Sequence, residues 1–196
     1  MKNLSISTGK RETLTDITDD ILQYITDERI RTGFLIVSTP DNECSIIGLS
    51  NQTEGIEKDF ISKINFLYPI HEGWDFHGYQ TNNIRSTLVG TTKQFLIEGG
   101  ALVLGAFERI YLVDFSGPSD GRMVLLQAFG SPMEDDEKAE LPEFIAEYND
   151  SIIRAAEQAK LEEQQIIEEM RREYREQHPE TAQAENPQSE EDDSDK

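Results

Sequence analysis

The chain has three histidines, and two of them, His71 and His77, fall in one loop with Glu72 and Asp75 between them. A transition-metal site usually takes three or more His, Cys or carboxylate ligands converging on one point. This loop could supply a divalent-metal site from His71 and His77 with carboxylate help. It lacks a pair of histidines at fixed short spacing, and the plainer reading is a surface loop. On that reading Trp74 and Phe76 pack down while the imidazoles stay in solvent. No cofactor is called for. The third histidine, His178, stands at the edge of the C-terminal tail. The single cysteine, Cys44, excludes an intrachain disulfide framework and a Cys-based zinc site. With no histidine near it in sequence, Cys44 reads as a small buried side chain rather than a nucleophile. Gly99-Gly100 falls between two strands, and no phosphate-cradling glycine pattern occurs.

The elements that must position these groups sit in a chain of 196 residues and net charge −21. That length suits one domain plus an appendage. The charge is unevenly spread: residues 134–196 hold 22 acids and 7 bases, whereas residues 1–133 hold 17 and 11. No apolar window is long enough to span a membrane. The opening Met1-Lys2-Asn3-Leu4-Ser5 leads into alternating polar residues rather than the apolar core of a signal peptide. A cytoplasmic location is expected. A nucleic-acid partner is not, because phosphate binding needs clustered Lys and Arg.

Alternating residues predict strands at 3–9 and 12–16, and a dense apolar run predicts one at 34–37. Further strands are expected at 45–49, 92–97, 101–104, 109–115 and 123–129, with a hairpin at Gly99-Gly100. Thr18 reads as the N-cap of a helix with Ile21, Leu22, Ile25 and Ile30 on one face, ended by Gly33. A second helix is expected at 54–67, with Ile56, Phe60, Ile64 and Leu67 at spacings near four. Residues 69–83 read as a long loop, followed by a strand or short helix at 84–89. This order is α+β, a domain of mainly antiparallel strands with two helices over residues 1–132.

An acidic linker is expected at 133–140, then a long amphipathic and charged helix over 141–178 with Pro142 in its first turn. Its stripe of Leu141, Phe144, Ile145, Tyr148 and Ile152 should pack on the domain, while the part beyond Ala159 stays solvated. Residues 179–196 have the composition of a disordered acidic tail.

One region carries a more specific signal. Leu104-Gly105, Phe107, Arg109-Ile110, Leu112-Val113-Asp114-Phe115, Gly117-Pro118, Arg122, Gln127 and Gly130 follow one another at fixed intervals. The run resembles the closing signature of the YjbQ-like family. Upstream, Ile17-Thr18-Asp19, Tyr68-Pro69-Ile70-His71-Glu72-Gly73 and Ser86-Thr87-Leu88-Val89-Gly90 are similar to further motifs of that family, in the same order. The resemblance implies a compact α+β domain that assembles as a homotrimer. It also implies a histidine-lined site for a metal or a phosphate, and a secondary thiamine-phosphate synthase activity.

The chain departs from the family where the chemistry would lie. A His-Thr-Ser after the strand near Pro40 is here Asp41-Asn42-Glu43, and a His-x-His has become Thr81 and Asn83. The Trp-Gln of the closing signature is Phe107-Glu108, and an Arg after Gly-Pro is Ser119. His71 alone keeps its position.

Two functions therefore compete. In the first, the protein is an enzyme acting on a small anionic or phosphorylated metabolite. His71 and Glu108 would then be catalytic, and Arg85, Arg109 and Asn83 would bind the ligand. In the second, the core is kept while the site is degenerate. The protein then acts through trimeric assembly or through a protein partner of the acidic C-terminal region. Kept packing positions beside lost histidines favour the second.

Overall fold

The computed structural model describes residues 1–69 and 80–178. In chain order the elements are β1 (Lys2–Thr8), β2 (Thr13–Asp16), α1 (Thr18–Glu28), β3 (Ile30–Ser38) and β4 (Cys44–Ser50). Then come α2 (Ile56–Leu67), α3 (Gln80–Val89), β5 (Thr92–Glu98), β6 (Ala101–Leu102), β7 (Glu108–Asp114), β8 (Ser119–Pro132) and α4 (Glu143–Gln177). The fold is α+β, as the strand pattern predicts. The chain divides into two units, residues 1–149 and 150–196.

In the first unit, five strands form one sheet in the order β1-β8-β3-β5-β6 and three form another in the order β2-β7-β4. All pairings are antiparallel. Alternation explains the layering, because successive side chains of a strand face opposite ways. In β7, Ile110 and Leu112 join a core with Leu35, Val37, Val124 and Leu126 of the larger sheet and Ile21, Tyr24 and Ile25 of α1. Tyr111 and Val113, one residue out of phase, join a second core with Phe60, Ile61 and Ile64 of α2. The three-stranded sheet is thus covered on both faces. That is why its strands read as continuous apolar runs.

The outer face of the larger sheet is different. Phe34 of β3 stacks on Phe129 of β8 with ring centroids 5.3 Å apart. Leu96 of β5 lies opposite Phe34 and is 62% exposed, and Met123 and Phe129 are also exposed.

Three local expectations are corrected. Thr18 does not cap α1: it is a buried first helical residue. The Asp16 carboxylate caps instead, accepting from the Thr18 amide at 2.9 Å and its hydroxyl at 2.6 Å. Gly33 does not end α1, which stops at Arg29 in a left-handed conformation. Gly33 lies inside β3, where an added Cβ would sit 1.9 Å from the Phe129 carbonyl oxygen. Only a residue without a Cβ tolerates that approach. Of the strand or short helix expected at 84–89 the structure has the helix, but it starts earlier, at Gln80 (α3), so the domain carries three helices before the long one rather than two.

β8 begins at Ser119 rather than Met123, and β6 is two residues long. The first unit reaches into α4, where the Asn149 side-chain amide donates to the Leu104 carbonyl at 3.0 Å. The second unit is the rest of that helix, with Leu161, Ile166, Ile167, Met170 and Tyr174 exposed. Tyr174 stacks on His178 at 4.4 Å. No described helix is long and apolar enough to cross a membrane.

Candidate functional site

The motif region folds around a salt-bridge network. β7 ends on Asp114, the chain turns through Ser116-Gly117-Pro118, and β8 returns to carry Arg122. The guanidinium grips the Asp114 carboxylate with both edges, Nε to Oδ2 at 2.8 Å and Nη2 to Oδ1 at 3.0 Å. Its remaining nitrogen meets Asp41, and Nη2 also donates to the Ser116 hydroxyl at 2.5 Å. Asp114 is fully buried and further accepts from the Thr8 hydroxyl and the Ser116 and Gly117 amides at 2.7–2.9 Å. Burial pushes the Asp114 pKa up, but Arg122 and these other donors outweigh it and hold the carboxyl below its ordinary range. Arg122 shows the complementary balance: burial lowers its pKa, and Asp114 together with Asp41 raises it above the usual value.

Cys44 lies against this network. Burial first, then the charges of Asp114 and Asp41, push its thiol far above the ordinary range. A thiol held protonated and fully enclosed is a poor nucleophile. Ellman's reagent should therefore leave Cys44 untouched in the folded protein and titrate one thiol per chain once guanidinium chloride unfolds it. Rapid reaction in native buffer would contradict this placement.

Arg85 is 1% exposed on α3, with all three nitrogens engaged. Nε and Nη2 donate to the Tyr68 carbonyl at 2.9 and 2.6 Å, and Nη1 meets Glu12 Oε1 at 2.8 Å. Glu12 also accepts from Asn65 at 3.1 Å, so one ion pair ties the β1–β2 turn, the end of α2 and the middle of α3 together. Arg109 pairs with Asp16 at 2.8 Å and Asp19 at 2.9 Å. Those contacts raise its pKa, and the donors around Asp16 lower that carboxyl despite partial burial. Glu108 accepts from the Gly105 amide at 3.0 Å and so braces its own turn. Among the described residues no hydrogen bond or ion pair joins Arg85, Arg109, Glu108 and Asn83 to one another. His71 and His77, the remaining candidates, lie outside the described residues.

Three residues at or beside the positions that depart from the family's histidines share one feature. Glu43 Oε1, Asn82 Oδ1 and Asn83 Oδ1 are buried oxygens with no hydrogen-bond partner. α3 runs along β4, where Ser86 donates to the Cys44 carbonyl at 2.5 Å and Ser45 donates to the Ser86 carbonyl at 3.1 Å. Asn82 stands one turn before Ser86, and Glu43 directly precedes β4. Oxygen acceptors in low dielectric repel an anion. Among the described residues, no group of three His, Cys, Asp or Glu side chains is placed to hold a metal ion.

The Asp114–Arg122 pair escapes the candidate set drawn from sequence. Its signal is a carboxylate and an arginine flanking a Ser-Gly-Pro turn, at strand ends brought side by side. Asn82 lies between the two positions aligned with histidines, so the motif comparison does not single it out.

Comparison with known proteins is consistent across its three forms. The family model described as "UPF0047 protein YjbQ-like" matches residues 2–131. The UPF0047 protein YugU of Bacillus subtilis is 28% identical over 120 residues, covering 60% of this chain and 91% of that protein. The UPF0047 protein MJ1081 of Methanocaldococcus jannaschii is 30% identical over 116 residues, covering 58% and 83%. A YbjQ-like protein of unknown function from Sulfolobus solfataricus superposes with a TM-score of 0.63 at 22% identity, covering 66% of this chain and 96% of its own. A yjbq/upf0047 family protein from Clostridium acetobutylicum gives 0.62 at 23%, covering 66% and 100%.

Proposed function

The chain belongs to the UPF0047 family of YjbQ-like proteins, and from that premise we propose that it is a non-catalytic member that works by assembly. The observation that carries this reading is the commitment of its cations. Arg85, Arg109 and Arg122 are the arginines near the family's motifs, and each is closed on carboxylates of its own chain. An anionic substrate would have to displace those pairs and approach the unpaired oxygens of Glu43, Asn82 and Asn83.

The assembly is a homotrimer built on the outer face of the larger sheet. Phe34, Leu96, Met123 and Phe129 form an apolar surface of the kind that marks protein–protein contacts. Beyond residue 131 the family match ends, and α4 lies outside it. Its exposed Ile166, Met170 and Tyr174, at four-residue spacing, supply a stripe on which a protein partner would seat. The single buried, unpaired cysteine suits a cytoplasmic setting.

Light scattering after size exclusion tests the assembly. The native protein should weigh three times its 22.3 kDa chain mass. A Leu96→Asp/Phe129→Asp double variant should run as a folded monomer. A monomeric native protein would sink the proposal. Thermal shift with inorganic phosphate, thiamine monophosphate and Zn²⁺ tests the site, and no rise that depends on His71 is expected. A melting temperature raised by a phosphate, with the rise lost in His71→Ala, would instead establish the alternative, an enzyme of the thiamine-phosphate synthase type.

A further inference from the structure

A cavity of about 550 Å³ opens between β2 and α2, outside the Asp114–Arg122 network. Small-molecule sites commonly fall between about 300 and 1,000 Å³. Two walls are apolar, Leu14 from the strand and Ile61 from the helix. Both side chains belong to the edge of the second core, so the cavity is a gap in packing between secondary-structure elements. β2 is an outer strand of its sheet, which leaves backbone groups along the cavity without a ladder partner.

The cavity is lined by two lysines and two glutamates, and these charges are not equally engaged. Lys10, in the turn after β1, and Lys58, on α2, both line it, and neither has a carboxylate within 4.0 Å among the described residues. Glu12 also lines the cavity, but its charge is taken up by Arg85 at 2.8 Å. Glu57 alone opposes the two lysines, and the Tyr111 hydroxyl approaches it at 3.5 Å. With Glu12 committed to Arg85, the two ammonium groups outnumber the one remaining carboxylate of the lining. The main arginines, by contrast, are neutralised internally.

Glu12 adds a further mark. Its φ is +53°, a left-handed backbone conformation that a glutamate rarely takes. Such strain persists only where the surroundings impose it, and it gathers at functional sites. Here the imposing contacts are Arg85 and Asn65, which fix the cavity's rim.

We propose that this cavity binds a small amphipathic organic anion. Its apolar body lies against Leu14 and Ile61, and its anionic head sits between the Lys10 and Lys58 ammonium groups. A carboxylate or a phosphate monoester would meet the same chemistry. The site is distinct from the assembly face and from the Asp114–Arg122 network, so its fate does not decide theirs.

The test is titration of the full-length ¹⁵N-labelled protein with phenylacetate and phenyl phosphate, with benzyl alcohol as the neutral control. Saturable amide shifts are expected at residues 10–14 and 57–65. Whichever anion binds more tightly identifies the head group. Lys10 and Lys58 are exposed, so Lys10→Gln/Lys58→Gln should fold normally while weakening binding about tenfold. Glu57→Gln should tighten it, and added salt should weaken it. Three outcomes would overturn the proposal. These are no saturable shift at these amides, unchanged affinity in the double lysine variant, or benzyl alcohol binding as tightly as the anions.

Discussion

Asp114→Asn should cost about 3–5 kcal/mol of folding stability, measured by urea denaturation, because it strips a buried guanidinium of its main partner. The substitution keeps the shape and the acceptor oxygen but turns one edge into a donor facing Arg122 and the Thr8 hydroxyl. Arg122→Met alone leaves the opposite orphan, a fully buried carboxylate, and should be comparably damaging. The double variant should be milder than the sum of the two, since neither charge is then left alone.

The same pair sets a pH dependence. The folded Asp114 pKa lies below its unfolded value of about 3.9. Between the two, the unfolded chain binds more protons, so stability rises with pH. The contribution is complete above about pH 5 and is lost as pH falls through the depressed folded pKa. Asp114→Asn lacks that carboxylate and should show a flatter acid limb. An equal slope in both proteins would show that the pair does not carry the effect.

Arg85→Met should cost about 2–3 kcal/mol, because it leaves the Tyr68 carbonyl and Glu12 Oε1 without their donors inside a packed joint. Glu12 retains some access to water, which keeps the loss below that of the Asp114 pair. Arg85→Lys should recover only part of it, since one ammonium cannot reproduce a fork gripping a carbonyl and a carboxylate at once. The readout that separates this positioning role from ligand binding is the phosphate response. Both variants should melt earlier than wild type, and none of the three proteins should gain melting temperature from phosphate.

The strands of this fold are legible in the sequence because alternation and burial coincide. In β7 each successive residue, Ile110 to Val113, serves a different core, and the run reads as a strand at sight. α3 is harder to read. Its buried positions are Asn82, Arg85 and Ser86, polar residues that give no apolar period even though their spacing is helical. The cap of α1 stands two residues before the one the sequence suggests, because Asp16 reaches forward over Ile17.

The site residues were legible as types but not as partners. Arg85 finds Glu12 across 73 positions and Arg109 finds Asp16 across 93. Nothing local marks a guanidinium as already spent. Such pairings come from topology, and only the folded chain brings them together.

The order of strands has a further consequence, for how the chain acquires its structure. β1, the first strand made, pairs only with β8, so Lys2 meets Leu126 and Leu4 meets Val124. β2 likewise waits for β7. Neither sheet can be completed by local hairpins, and folding of this kind is slow because long loops must close before contacts repay them. While the chain is being synthesised, the apolar run Phe34-Leu35-Ile36-Val37 has no β8 to pair with and stands open to other chains. β8 ends that interval by inserting between β1 and β3. Arg122 rides on that strand, so its meeting with Asp114 coincides with closure of the larger sheet.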